Sequence, residues 1–165
     1  MLAPVASSIL MKILYGARMA RLDLLRAVCS LACHVTRWTI NCDLQLHRLV
    51  SYIHHSNHLR MIGWVGDEHA AMQPHLYQGA DFAGCLTTQR STSGVHLAIR
   101  GPTTNFPIAG ISKRQGCVSH STPEAELVAF DFALRVPGLP ALDLWSTATQ
   151  LQQHSNRRPT DRLDL

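Results

Sequence analysis

The sequence contains five cysteines and ten histidines, residue types that can bind metals or act in catalysis. One group lies close together in the N-terminal third: Cys29, Cys33, His34, Cys42 and His47. Such side chains bind zinc, but this spacing fits no standard ligand pair, and small cysteines are common inside helices. The pattern therefore favours packing over metal binding.

Cys117 and His120 are a second candidate, as a nucleophile and its base. Their closeness in sequence does not establish the geometry that such a pair requires, so catalysis by them is disfavoured. Lys113 and Arg114, just before them, are residue types that contact a phosphate backbone. They are equally typical of solvated residues after a strand, and both interpretations stay open.

The charge of the chain is unevenly distributed. The formal net charge is +4, whereas residues 1–60 carry seven basic and two acidic residues, a balance of +5 that leaves −1 for the remainder. A basic N-terminal segment favours a polyanionic partner such as nucleic acid, although a solvated helix face explains it almost as well.

Composition bounds the class of protein. The chain is 46% hydrophobic and 16% charged, which is compatible with a packed core and argues against general disorder. An odd number of cysteines and no evident secretory signal indicate an intracellular chain, cytoplasmic or nuclear, with reduced thiols. No apolar stretch reaches the ~20 residues of a membrane span. The basic, amphipathic first 22 residues leave a mitochondrial transit peptide as the minor alternative.

Three helices are predicted in the N-terminal section. Apolar residues recur at helical spacing within residues 9–17, with Ser7 or Ser8 as a cap. A second helical pattern covers residues 22–35, and a third covers residues 41–53. After it the pattern changes to the alternation typical of strands.

Strands are predicted at residues 76–83, 93–100 and 106–111. The second has the clearest alternation of apolar and polar residues. Pro107 interrupts the third, and because proline cannot donate to a ladder it either weakens that strand or places it at an edge.

A fourth helix has the best-marked start in the chain. Ser121 and Thr122 are typical caps, Pro123 suits the first turn, and Glu124 lies where a capping box with Ser121 requires an acid. The predicted buried stripe consists of Leu127, Phe130 and Leu134.

Beyond that helix little regular structure is predicted. Residues 136–138 (VPG) are expected to end the helix, and a short helical piece is expected at residues 142–145. The polar residues 146–165 show no sustained apolar period, so the sequence predicts a disordered tail.

Four blocks of this sequence resemble the polymerase polyprotein of copia-type retrotransposons. Residues 76–85 (LYQGADFAGC) and 89–94 (QRSTSG) are similar to the family's Asp-Ala-Asp-Trp-Ala-Gly strand and its Arg-Ser-Thr-Ser-Gly. Residues 112–115 (SKRQ) and 119–126 (SHSTPEAE) are similar to its Ser-Lys-Lys-Gln and Ser-Ser-Thr-Glu-Ala-Glu. The order and spacing of all four agree with the family.

Two upstream blocks resemble the same polyprotein. Residues 20–24 (ARLDL) are similar to its Arg-Pro-Asp-Leu, and residues 47–53 (HRLVSYI) to its Arg-Val-Leu-Arg-Tyr-Leu helix. In the family both lie between the polymerase palm and the ribonuclease H domain.

The resemblance implies a division of the chain and a fold. Residues 1–66 correspond to the helical connection region of a reverse transcriptase, and residues 67–145 to the first half of a ribonuclease H domain. Residues 146–165 correspond to nothing in the family. The expected fold class is α/β (α+β): N-terminal helices, then a truncated ribonuclease H-like sheet of three antiparallel strands with one packed helix.

The resemblance also implies a metal site. The family cleaves the RNA strand of an RNA–DNA hybrid with two Mg²⁺ (or Mn²⁺) ions held by carboxylates. Carried over to this chain, Glu126 is the helix carboxylate, whereas Gly79 stands where the strand Asp is expected. Asp81 shares that strand face but lies ~6–7 Å further along, too far for an ordinary metal–oxygen contact unless the register slips.

The implied function is a degenerate hybrid ribonuclease. Asp81 and Glu126 are the only candidate catalytic and metal-binding residues, because the family's later Asp-Asn pair does not occur after Trp145. The expectation is that metal is not competently bound. The alternatives are a non-catalytic nucleic-acid-binding remnant, in which Lys113 and Arg114 contact the nucleic acid, and a translated pseudogene product without function.

A truncated domain leaves part of its sheet and helix uncovered, so self-association is also expected. The abrupt loss of pattern after Trp145 suggests a frameshift in the element.

Overall fold

Three helices form in the first 55 residues of the computed structural model, which describes residues 2–156. They are α1 (Ala3–Ala20), α2 (Leu25–Ala32) and α3 (Ile40–His55). All three predicted helices are confirmed. The predicted cap of α1 is wrong: the helix begins at Ala3, ahead of both serines, because Pro4 is well suited to a first helical turn.

The helices share one hydrophobic core. Its buried members are Leu10, Ala17, Leu24, Leu25, Val28, Leu31, Cys42, Leu46 and Leu49. The core residues of α2 and α3 are spaced three or four apart and those of α1 seven apart, so each helix turns one apolar stripe towards the others. The basic side chains of this section consequently lie outside the core.

The sheet has three antiparallel strands in the order β1–β2–β3. The strands are β1 (Gln73–Asp81), β2 (Thr92–Arg100) and β3 (Asn105–Arg114). All three predicted strands are confirmed, and together with the helices they make a mixed α+β fold. Pro107 lies on edge strand β3, beside a register shift between Leu97 and Ala98 of β2, as expected for a residue without an N–H group.

The two faces of the sheet are covered by different helices. A Cβ atom on Gly110 of β3 would meet the side chains of Leu22 and Leu25, so this face carries α2. The opposite face carries α4 (Thr122–Ala133). On that face, Lys113 of β3 lies over the ring of Phe132 in α4.

The start of α4 matches its prediction closely. Ser121 is the N-cap, and its hydroxyl accepts a hydrogen bond from the N–H of Glu124 at 3.3 Å. The carboxylate of Glu124 reaches back to the N–H of His120 at 2.7 Å, one residue beyond the partner that a capping box predicts.

The predicted buried stripe of α4 is wrong. Leu127 is 67% exposed, and Phe130 and Leu134 are also exposed. The buried residues are Ala125, Ala129 and Ala133, all fully inaccessible. Residues four apart share a face, and an alanine face lets the helix axis approach the sheet more closely than a leucine face would.

The predicted end of α4 is also wrong. Residues 134–138 form a π-helical turn that leads directly into α5 (Leu139–Asn156). In this wider turn the N–H of Leu139 bonds to the carbonyl of Leu134, and the turn contains Pro137. Helix is therefore continuous where a stop was expected.

Helix α5 replaces both the short piece at 142–145 and the first part of the predicted disordered tail. Its residues Leu142, Ala148 and Gln150 are strong helix formers. Local propensity therefore overrides the lack of an apolar period. Residues 157–165 of the predicted tail lie outside the described part of the chain.

The predicted boundary between residues 66 and 67 lies in a segment that is tied to the sheet. The N–H groups of Gly66 and Asp67 both donate to the hydroxyl of Thr104 at 3.1 Å. Trp64 pairs with Asn105 in an antiparallel bridge. Within residues 2–156, no helix combines the length and apolarity needed to cross a membrane.

Candidate functional site

The carboxylate of Glu126 lies at the open edge of β1. Its Oε1 atom accepts a hydrogen bond from the N–H of Ala80 at 3.2 Å. Because β1 has a strand on one side only within residues 2–156, this N–H has no ladder partner among them and the carboxylate satisfies it. The helix acid that the sequence singled out is thus positioned against the strand that the resemblance pairs with it.

Gly79 is next to Ala80 and opposite Gly94 of β2. A Cβ atom on Gly79 would meet nothing within 4 Å. The position where the family resemblance expects an Asp therefore has room for a side chain. In this protein it presents bare backbone.

Asp81 is held on the face of the sheet that carries α2. One oxygen accepts a hydrogen bond from the N–H of Thr92, and the other pairs with Arg26 of α2 at 2.5 Å. Its side chain is 37% exposed. Glu126 belongs to α4, on the other face, so the two candidate carboxylates are held by different layers of the molecule.

This arrangement does not fit a pair of divalent ions. Two-metal sites need several converging oxygen ligands. Among residues 2–156, no group of three or more His, Cys, Asp or Glu side chains is placed to hold a metal ion. Neither the Cys29–His47 group nor a group that includes Asp81 and Glu126 is therefore placed to hold a metal ion among these residues.

A buried polar network joins the blocks that carry the resemblance. The side-chain amide of Gln115 donates to the hydroxyl of Ser93 at 3.1 Å and to the carbonyl of Ala125 at 2.9 Å. Its carbonyl oxygen accepts from the hydroxyl of Ser119 at 3.4 Å. Its backbone N–H bonds to the carbonyl of Ser91.

The network residues that lie outside α4 are all buried: Ser91, Ser93, Gln115 and Ser119. Sequence reasoning compared these blocks only with a family pattern, and it assigned none of them this structural role. The available signal was the polar character of Ser91, Ser93 and Gln115 beside apolar strand residues, since buried polar side chains are normally paired.

The two upstream blocks also meet. Arg21 donates to both oxygens of Asp23 at 3.0 and 2.8 Å, and to the carbonyl and hydroxyl of Ser56 at 2.9 and 2.8 Å. The hydroxyl of Tyr52 donates to Asp23 at 3.0 Å. The bonds from Arg21, with the one from Tyr52, lower the pKa of Asp23 although its partial burial acts in the opposite direction. These residues connect the start of α2 to the end of α3.

Lys113 and Arg114 are adjacent on β3 and therefore point to opposite faces. The ammonium group of Lys113 lies 4.7 Å from the centroid of the Phe132 ring. Arg114 is paired with Thr92 across the ladder. Within the described residues neither forms a salt bridge, unlike Arg21, Arg26 and Arg135.

The thiol of Cys85 is one perturbed group that sequence reasoning missed. Hydrogen bonds from the Thr88 side chain and backbone, together with the charge of Arg114, lower the pKa of Cys85 to about 7. Cys117 of the predicted nucleophile pair is exposed, and none of the described bonds joins it to His120.

The comparisons with known proteins add no relative: no family model, no curated protein and no solved structure matches the chain.

Proposed function

We propose that this chain is a catalytically inactive, ribonuclease H-like remnant of a copia-type retrotransposon polymerase. Its sheet and α4 then correspond to the start of a hybrid ribonuclease. The preceding helices correspond to the connection region of the reverse transcriptase.

The observation that carries this proposal is the contact between Glu126 and the backbone of Ala80. It places the helix acid beside Gly79, the position where the family has its strand Asp. The same pair explains the inactivity, because a glycine contributes no ligand and Asp81, which shares the strand face of Gly79, is engaged by Arg26. A lone carboxylate does not hold a catalytic metal pair.

Cleavage of a labelled RNA–DNA hybrid tests the proposal, with Mg²⁺ or Mn²⁺ and an intact ribonuclease H as positive control. The unmodified chain, Glu126→Gln and Gly79→Asp are expected to give no product above background. Gly79→Asp has space for its side chain, but it adds only one ligand. Metal-dependent cleavage that Glu126→Gln abolishes would contradict the assignment of inactivity.

A second candidate function is non-catalytic binding of nucleic acid through Lys113 and Arg114. Their lack of acidic partners within the described residues favours it, since a cation already in a salt bridge is less available to phosphate. Each phosphate contact contributes about 0.9 to the dependence of log affinity on log salt for duplex DNA.

The double variant Lys113→Gln/Arg114→Gln tests this candidate. It is expected to lower the salt dependence of duplex binding by about 2. Arg135→Gln is the matched control, because Arg135 is already paired with Asp131. An equal salt dependence for the double variant and the unmodified chain would exclude these two residues as the binding site.

A further inference from the structure

An open groove of about 640 Å³ lies between α1, β3 and the π-helical turn 134–138. Apolar side chains form most of its walls, and five of them are between 47% and 73% exposed: Met11, Tyr15, Met19, Ile108 and Val136. Single apolar residues scattered over a protein surface are normal, whereas a contiguous apolar patch marks a site of interaction.

Helix α1 presents a straight row of apolar side chains to this groove. Met11, Tyr15 and Met19 are four residues apart, so they lie on one face of the helix over about 12 Å. Tyr15 is in the middle of this α1 row and is the most exposed of the three. Aromatic residues are frequent anchors of protein interfaces, and methionine adapts to partners of different shape. The α1 row is therefore suited to contact a second elongated element.

The charge beside this row is positive. Among the described residues that line the groove, Arg18 is charged and none is acidic. Lys12 and Arg18 lie three residues on either side of Tyr15, so both are its neighbours on the helix surface. Both are exposed, and within residues 2–156 neither forms a salt bridge, unlike Arg21 just beyond α1. A partner that carries acidic side chains beside its apolar ones matches this surface.

The backbone of β3 beside the groove is not open to another strand. Asn105 is already paired with Trp64 through hydrogen bonds of 3.0 and 3.1 Å. Pro107 has no N–H group, and Gly110 is buried. Adding a strand to a sheet depends on free backbone groups at its edge. An α-helix instead satisfies its backbone groups internally and binds through side chains, so a helix is the element that fits this groove.

From these features we infer that the groove binds an acidic amphipathic α-helix of another protein. The apolar face of that helix packs on the α1 row and against Ile108 and Val136, and its carboxylates pair with Lys12 and Arg18. Such a helix has apolar residues three and four apart, with Asp or Glu beside them. The inference uses neither Glu126 nor Gly79, and it does not rest on the proposed ribonuclease ancestry.

Fluorescence anisotropy of a labelled model peptide titrated with the full chain tests this inference. The probe has about 16 residues, enough for a stable helix, with Leu at positions three and four apart, Glu beside them and Ala elsewhere. One control peptide has Lys in place of every Glu. The other has the composition of the probe in scrambled order, so it keeps the charge and loses the apolar face. Saturable binding of the probe is expected, with both controls weaker by about tenfold or more.

Tyr15→Ala removes the centre of the α1 row. It is expected to weaken binding of the probe about tenfold, the usual effect of truncating an interface anchor. Leu44→Ala is the matched control, because Leu44 is an exposed residue of α3 outside the groove. It should leave the affinity unchanged.

Arg18→Glu reverses the charge at the groove. It is expected to weaken binding of the probe about fivefold and to strengthen binding of the peptide that carries Lys. Arg48→Glu makes the same change of charge at an exposed position of α3, outside the groove. It should leave both affinities unchanged.

Thermal unfolding verifies that each variant folds, which is expected because all four positions are exposed. Absence of saturable binding up to about 1 mM protein would overturn the inference. So would equal binding of the scrambled peptide, which would mean attraction between opposite charges only, or an affinity that Tyr15→Ala or Arg18→Glu leaves unchanged. Sedimentation equilibrium without peptide adds one outcome: if Tyr15→Ala converted oligomers to monomer, a second copy of this chain would be the occupant, which also overturns the inference.

Discussion

At the scale of single residues, Gln115 shows how a polar side chain can organise a core. It connects β2, the start of α4 and Ser119 through bonds of 2.9–3.4 Å. Removing a buried partner costs more than its bond contributes, because the groups left behind are desolvated and unpaired. The residue is therefore a sensitive point of the sheet–helix contact.

Gln115→Ala is expected to lower the free energy of unfolding by about 1–3 kcal/mol, because it leaves Ser93 and the Ala125 carbonyl without this partner. Urea unfolding followed by circular dichroism measures the change. Gln150→Ala, at an exposed position of α5, is the control and should change stability little. Equal effects of the two variants would contradict the structural role of the network.

The Asp23 carboxylate belongs to the same scale and adds a dependence on pH. Its hydrogen bonds with Arg21, then with Tyr52, lower its pKa below the usual value near 3.9. The stability that this carboxylate contributes is fully present above the unfolded-state pKa. It is lost as the pH falls through the lower pKa of the folded state.

Asp23→Asn is expected to reduce stability at pH 7 and to flatten the loss of stability between pH 5 and pH 2. Urea midpoints at several pH values measure both effects. Asp143→Asn, an exposed change on α5, should leave the loss of stability between pH 5 and pH 2 as it is in the unmodified chain. If Asp23→Asn also left that loss unchanged, the Asp23 carboxylate would not be coupled to folding.

At the scale of elements, α4 shows why the type of an element is easier to predict than its orientation. Its start follows from Ser121, Pro123 and Glu124, whose effects are local. Its buried face does not, because apolar residues occur on more than one side of it. The prediction chose the large residues, whereas the residues buried against the sheet are alanines.

Ala129→Leu is expected to destabilise the protein by about 1–3 kcal/mol, because overpacking forces α4 away from the sheet. Ala148→Leu is the matched control on the exposed side of α5 and should be nearly neutral. Thermal or urea unfolding compares the two. A neutral Ala129→Leu would mean that α4 does not pack through its alanine face.

The turn between α4 and α5 makes the same point about boundaries. Pro137 and Gly138 are typical of a helix end, and the sequence predicts one there. The chain instead widens to a π turn in which Leu139 bonds to Leu134. Local residue types indicate a disturbance of the helix, but they do not distinguish a stop from a bulge.

At the scale of the whole molecule, the apolar surface is unevenly covered. The outer side of α4 and α5 exposes Leu127, Phe130, Leu134, Leu139 and Leu142. Strand β1 is also an edge, where Glu126 satisfies the N–H of Ala80. Exposed apolar patches and open edges are the usual starting points of association between chains.

The chain is therefore expected to self-associate through the outer side of α4 and α5. Sedimentation equilibrium should show oligomers at micromolar concentration, and Leu127→Gln/Phe130→Gln should shift the chain towards monomer. Val5→Gln/Met11→Gln changes two exposed apolar residues of α1 and should leave the association unchanged. A monomeric unmodified chain would contradict this expectation.

The sequence by itself determined the three N-terminal helices, the three strands and the start of α4. These depend on the period of apolar residues and on caps, which act over a few neighbouring positions. It also predicted Glu126 as a site residue and Gly79 as the missing ligand.

Only the tertiary structure decided which layer holds each of these residues. Asp81 pairs with Arg26, far away in the sequence, on the face opposite to α4. Gly79 and Gly94 come from different strands and are paired, so the sheet presents bare backbone there. The alanine face of α4 is buried because the sheet approaches it closely. Such contacts between distant residues depend on packing geometry, which the local pattern of a sequence does not specify.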